Sequence, residues 1–225
     1  MSAGRKLGSL ESVPLFADLS PDELGSIEAA CAWRHFKEGE DIVAYLDESD
    51  DVYFVVSGKA RVVIYAASGK VVGFRDLLPG DMFGEYAAVD QSPRSASIEA
   101  QTACQVAVMP SKAFRALLRD QPAVCLALIR HLTKQLRSLT HRVYEFSTLA
   151  VNNRIQAELL RLAREAGSSD EIETTTAIIS PAPTHTEIAA RISSHREAVS
   201  RELSRLTREG LIERRGRSLN IKDVP

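Results

Sequence analysis

The chain has 225 residues, 44% hydrophobic and 26% charged, with a net charge of −2; it is long for one domain, comfortable for two, and neither fibrous nor broadly disordered. No apolar run approaches membrane-spanning length, Met1 to Lys6 lack the apolar core of a secretory signal, and a cytoplasmic location is expected. Cys31, Cys104 and Cys125 are few and widely separated, which argues against a disulfide framework and against a closely spaced iron–sulfur cysteine cluster.

In chain order, Ser20-Pro21-Asp22-Glu23 predicts a helix start with a packing role. Asp51 to Gly58 and Ala60 to Tyr65 are β-branched and aromatic runs parted by Gly58, with a turn expected at Ser68-Gly69. Gly39, Gly58, Gly69, Gly73 and Gly80 punctuate the segment at short intervals, and Ala103 to Met109 adds another apolar run. This pattern predicts a small antiparallel barrel or jelly roll. A metal-dependent enzyme on such a barrel needs clustered ligands, whereas His35, His131, His141, His185 and His195 are scattered. No nucleophile–base constellation stands out either, so no enzyme, metal or cofactor is expected.

Within the barrel, Phe83-Gly84-Glu85-Tyr86-Ala87-Ala88 followed by Pro93-Arg94-Ser95-Ala96 supplies the groups that hold a small cyclic phosphate ester. A guanidinium at Arg94 matches the two exocyclic oxygens with paired, charge-assisted donors, and Ser95 adds a hydroxyl and an amide. Gly84 permits a close backbone turn past the ligand, and the amides opening a short helix at Glu85 point toward the anion. A carboxylate beside a phosphate repels it, so Glu85 suits a neutral donor such as a ribose 2′-hydroxyl. Taken alone, Glu85 and Arg94 also read as a surface ion pair around a turn; the surrounding strands favour the pocket.

A long helix follows from Pro122 to about Ala150, with Ile129, Leu132, Leu136, Leu139, Val143, Phe146 and Ala150 at alternating steps of three and four. This heptad seam suits a twin helix in a homodimer; the alternative packs it on its own barrel. A second helix spans roughly Asn152 to Ala166, Gly167 to Glu171 break the pattern, and one strand is expected at Thr175 to Ile179. Thr184-His185-Thr186-Glu187 is a capping box, Ser193-Ser194 a turn, and Val199, Leu203 and Leu206 line a further helix ending near Gly210. This is helix-turn-helix spacing, which places Ser194, His195, Arg196, Glu197, Ser200 and Arg201 where a recognition helix meets base edges, with Thr184 at the start of the preceding helix. Ser194 to Glu197 also reads as a capping box, which would give Glu197 a structural role. Leu211 to Ile221 alternates around Gly216 as a basic-tipped wing. Residues 182–225 hold nine Lys plus Arg against six Asp plus Glu, a balance of +3 that leaves −5 for the remainder. That asymmetry directs phosphate attraction to the C-terminal module.

Barrel, Gly84-Glu85 with Arg94-Ser95, seam helix, and Arg196-Glu197 with Arg201 together resemble the CRP/FNR family of bacterial transcription regulators over nearly the whole chain. The resemblance implies an α+β chain: a cyclic-nucleotide-binding β-barrel (jelly roll) with a long dimerisation helix over 1–148, and a winged helix-turn-helix DNA-binding domain over 149–225. It implies that Glu85 binds ribose and that Arg94 and Ser95 bind the cyclic phosphate. By position it puts purine contacts at Leu139 and Thr140. Thr140 keeps a family hydroxyl and Leu139 does not, so cAMP is the first expectation, and a regulator of the same fold that answers cGMP, another signal or no ligand stays open as the alternative. Arg196, Glu197 and Arg201 match the family's DNA readers, which implies an inverted-repeat operator with TGTGA-like half-sites and RNA polymerase as a further partner.

Overall fold

The computed structural model describes residues 8–65, 71–166 and 176–222. The turn expected at Ser68-Gly69, the break at Gly167 to Glu171 and Thr175 lie outside them. The chain divides into two compact units, Met1–Leu136 and Arg137–Pro225.

The first unit begins with a 3-10 turn, Pro14–Phe16, and α1, Pro21–Ala29, whose Ser20 cap and Glu23 form the reciprocal capping box expected from sequence. Eight strands follow: β1 Ala32–Phe36, β2 Asp41–Val43, β3 Val52–Ser57, β4 Ala60–Tyr65, β5 Val71–Leu77, β6 Met82–Phe83, β7 Ser97–Ala100 and β8 Cys104–Met109, with α2, Glu85–Asp90, between β6 and β7. They form two antiparallel four-stranded sheets, β1-β8-β3-β6 and β2-β7-β4-β5, which is the jelly-roll arrangement.

Strand β3 shows why its sequence is apolar from Val52 to Val56 rather than alternating. Tyr53 and Val55 face the second sheet with Ile98, Val106 and Phe83, while Val52 and Phe54 face a separate core of helices with Phe16, Phe114 and Leu128. Both faces of the strand are covered from Val52 to Val55, and the apolar run extends to Val56 before the exposed Ser57. That second core contains α3, Ser111–Asp120, and the start of α4, Pro122–Thr148.

Helix α4 begins as a core helix: Val124 and Leu128 are buried and Leu132 packs beside them, a one-turn spacing that holds it to the barrel. The rest of the seam stays open, with Ile129, Leu136, Leu139, Val143 and Phe146 between 41% and 64% exposed. Only Leu132 of the seam joins the barrel core. The helix ends at Thr148, so Ala150 lies in the link to α5, Val151–Ala166.

The second unit continues with β9 Thr176–Ile179, α6 His185–Arg191, α7 Arg196–Arg208, β10 Ile212–Arg215 and β11 Ser218–Lys222. The wing hairpin β10–β11 gains β9 as a third antiparallel strand. One core joins Ile155 and Leu159 of α5, Ile188 of α6, Val199 and Leu203 of α7, and Leu219 and Ile221 of β11. Gly210, at φ 74°, follows α7 in the left-handed conformation that ends a helix. Among the described residues no helix is long and apolar enough to cross a membrane.

Candidate functional site

Arg94 is 3% exposed, yet among the described residues no carboxylate lies in ion-pair contact with it. Its Nη1 donates to the Gly84 carbonyl at 3.1 Å, Nη2 to the Asp51 carbonyl at 2.8 Å, and Nε to Ser49 Oγ at 3.1 Å. Its guanidinium lies 5.5 Å from the Tyr53 ring centroid, and that ring stacks on Phe83 at 4.8 Å. Three of five N–H groups are thereby spent on neutral oxygens, leaving one on each terminal nitrogen for a further acceptor. The backbone is pinned as well: the Arg94 amide donates to the Asp47 carbonyl and the Leu46 amide to the Arg94 carbonyl. The guanidinium is thus held in place by the fold itself.

Gly84 has a more local task than passage past a ligand. At φ 85°, a Cβ would lie 2.6 Å from Arg94 Nη1 and 2.7 Å from the Asp51 carbonyl oxygen, so only glycine lets the guanidinium seat there. Gly84 also caps α2, which begins at Glu85 as expected. Ala87 is buried, Tyr86 is 40% exposed, and Ser95 is exposed next to Arg94. At the far end of α2, Arg115 donates to the Ala88 carbonyl at 2.8 Å and lies 3.5 Å from Asp50. Ser111 donates to Asp50 at 2.6 Å, and this bond, with Arg115, holds the Asp50 carboxyl below its ordinary range. The acidic loop before β3 and the cassette helix are therefore tied to α3.

Glu85 is 5% exposed. Burial pushes its carboxyl up, against opposing pulls from its own backbone amide, Arg75, Gln135 and Arg94. Gln135 of α4 donates to Glu85 Oε1 at 3.4 Å, contacts His131, and accepts from the Tyr86 hydroxyl at 3.0 Å. Burial, then Arg75, keeps His131 below the usual imidazole range. Glu85 and Arg94 thus do not form the surface ion pair that was the alternative reading. They are separate buried charges with different neutral partners. Leu139 and Thr140 lie on α4 in the second unit, and both are exposed.

In the second unit Thr184 caps α6, its hydroxyl accepting from the Glu187 amide at 3.1 Å. The turn runs through Ser193, at φ 52°, and Ser194, which is 8% exposed. Helix α7 is capped by His195 without a side-chain bond, so the capping box read into Ser194 to Glu197 does not form. The reason is register: the helix starts one residue later than that motif requires, and Ser194 turns inward. Glu197 is left exposed with His195, Arg196 and Arg201. Among the described residues none of these four has a charged partner. Ser200 is half-buried and its Oγ lies 2.7 Å from His185 Nδ1.

Other charges of this unit are internal. Glu202, 2% exposed, accepts from Arg205 at 2.6 Å and from Gln156 at 2.7 Å, fixing α7 to α5. Glu158, 1% exposed, meets Arg161, Arg142 at 3.6 Å and Arg191 at 3.4 Å, and Arg161 also bonds Glu145 at 2.8 Å. This network links α4, α5 and α6. Arg154 donates to the Ile192 carbonyl at 3.3 Å and covers the Phe146 ring.

Sequence reasoning missed Ser49 and Asp51, which hold Arg94, and His131 and Gln135, which surround Glu85. The run Asp47-Glu48-Ser49-Asp50-Asp51 was the available signal, since an acidic loop entering an apolar strand invites a cation.

The first unit is thus a jelly roll with a buried arginine free of carboxylate contact, and the second a winged helix-turn-helix, the architecture of a DNA-binding regulator. Residues 33–121 match the cyclic nucleotide-binding domain and residues 153–225 the Crp-like helix-turn-helix domain. The chain belongs to the CRP/FNR family of transcription regulators and is not an enzyme. It is 26% identical over 209 residues, 93% of this chain and 92% of the relative, to a CRP-like cAMP-activated global transcriptional regulator of Mycobacterium tuberculosis. It is 29% identical over 192 residues, 85% and 90% of the two chains, to the cAMP-activated global transcriptional regulator CRP of Salmonella typhimurium. A solved CRP-family transcriptional regulator of Thermus thermophilus aligns with TM-score 0.66 and 29% identity, covering 85% of this chain and 92% of that one.

Proposed function

We propose that the chain is a homodimeric, cytoplasmic transcription regulator whose effector is a cyclic nucleotide, cAMP first. The observation that carries the reading is Arg94, a guanidinium 3% exposed and facing only neutral oxygens. Burying a cation without a counter-ion is costly, and a cyclic phosphate supplies the missing charge and two acceptors for the two open N–H groups. Ser95 adds a hydroxyl at the phosphate. Glu85 takes the ribose hydroxyl, which suits a carboxylate already shielded from water and held by Gln135. Phe83, Gly84, Tyr86 and Ala87 shape the cassette around them. Relatives named as cAMP-activated support cAMP over cGMP. The apolar Leu139 beside Thr140, at the purine-reading positions implied by the family, keeps cGMP as the second reading.

The open stripe on α4 supports the dimer: Leu136, Leu139 and Val143 sit at heptad spacing and are 46% to 64% exposed. Arg196, Glu197 and Arg201 are the base readers, with His195 beside them and Thr184 and Ser194 holding the turn. Their operator is an inverted repeat with TGTGA-like half-sites, and the bound regulator acts on RNA polymerase. Arginine suits guanine O6 and N7, and glutamate accepts from cytosine N4. The test is a mobility shift on a TGTGA palindrome with cAMP, cGMP or neither. The reading expects cAMP to strengthen the shift most. Equal shifts in all three lanes would refute the effector assignment, and no preference for the palindrome over a scrambled duplex would refute the operator.

A further inference from the structure

His185 is the first residue of α6, and the Thr184–Glu187 capping box fixes the backbone where it stands. Its ring reaches to α7, where Nδ1 lies 2.7 Å from Ser200 Oγ. Both side chains are half-buried. Ser200 sits one turn after Arg196 and directly before Arg201, at the margin of the exposed face of α7. The charged groups acting on the imidazole come from two other elements, Arg196 on α7 and Arg214 on β10; burial, then these two cations, hold it below its ordinary range. Helix α5 meets the other end of α6, through Arg154 at Ile192 and Glu158 at Arg191.

A serine hydroxyl has one proton to give, and its direction here depends on the ring. With the neutral imidazole protonated at Nε2, Nδ1 accepts and the Ser200 proton is consumed; the oxygen then offers only lone pairs outward. When the ring is charged both nitrogens donate, Ser200 accepts from Nδ1, and its own proton is released.

We infer that His185 and Ser200 form a specificity element that presents Ser200 to the major groove as an acceptor when the imidazole is neutral and as a donor when it is charged. An acceptor favours cytosine N4 or adenine N6; a donor favours guanine O6 and N7 or thymine O4. The inference rests on α7 being the recognition helix.

The test is selection from a randomised duplex library by the full-length protein, with and without cAMP, at about pH 5 and about pH 8, the lower value chosen because the ring is held below its ordinary range. One position per half-site is expected to change its base preference by about two- to tenfold between the two conditions, the worth of a single hydrogen bond. Ser200→Ala and His185→Gln should each remove that change. Identical preferences at both pH values, or a change that survives Ser200→Ala, would overturn the switch while leaving the recognition helix standing. Failure to select any sequence would overturn the recognition reading and this inference with it.

Discussion

Arg94 in the first unit and Glu158 in the second are both withdrawn from water, at 3% and 1% exposure, and their surroundings are opposite. Glu158 has three guanidinium groups about it, from Arg142, Arg161 and Arg191. Arg94 has two carbonyls, a hydroxyl and an aromatic face. A buried charge with opposite charges in contact is part of the fold; a buried charge whose contacts are all neutral is, on the function proposed above, prepared for a counter-ion from outside. The same contrast recurs within α7, where Arg205 is spent on Glu202 and Glu209 while Arg196 and Arg201 stand open on the surface. Availability, rather than charge alone, separates the proposed binding groups from the structural ones.

Substitutions on either side sharpen this contrast. The largest effect is expected for Glu158→Ala, which strands several arginines and should cost about 3 to 5 kcal/mol of stability; urea unfolding followed in the second unit would show it, and a loss below about 1 kcal/mol would place Glu158 outside the structural class. Next comes Arg94→Met. A ligand at a hundredfold excess over Kd stabilises a fold by about 2.7 kcal/mol, so cAMP should raise the Tm of the parent and not of this variant, while unliganded stability stays near the parent's. If removing Arg94 unfolds the barrel, the comparison fails, because Arg94 would then be a structural cation.

Arg201→Ala should remove about 1 to 3 kcal/mol of discrimination between operator and scrambled duplex, measured by mobility shift, without moving the unfolding midpoint. The smallest effect concerns pH. Burial raises the Glu85 carboxyl above its ordinary value of 4.5, so the unliganded fold binds that proton more tightly than the unfolded chain does. Stability attributable to Glu85 is therefore greatest at low pH and declines as pH climbs from about 4.5 through the folded value. Glu85→Gln should flatten that decline in unfolding curves taken across the range, and weaken cAMP binding about tenfold or more through loss of a charged acceptor. An unchanged slope would show that Glu85 is not the buried acid described.

Local patterns were legible in the sequence: the strand runs, the helix start at Glu85, the long α4, and the Thr184 and Ser20 capping boxes all concern residues within a few positions of each other. What escaped was set by pairing across the fold. Ser49 and Asp51 reach Arg94 over more than forty residues, and Gln135 reaches Glu85 over fifty. No spacing rule announces such contacts. Ser194 shows the converse. Its motif with Glu197 was complete, but the inward turn after the left-handed Ser193 started α7 one residue later and left the motif unused. The bond between His185 and Ser200 was hidden in the same way, since it joins two helices whose crossing the sequence does not print.

The most direct measurement is a calorimetric titration of cAMP into the parent and into Arg94→Ala. The account predicts saturable binding to the parent and an affinity weakened by about 1.5 to 3 kcal/mol in the variant, the value of a hydrogen bond to a charged group. Equal affinity in the two proteins, or no binding of cAMP or cGMP to the parent, would contradict it.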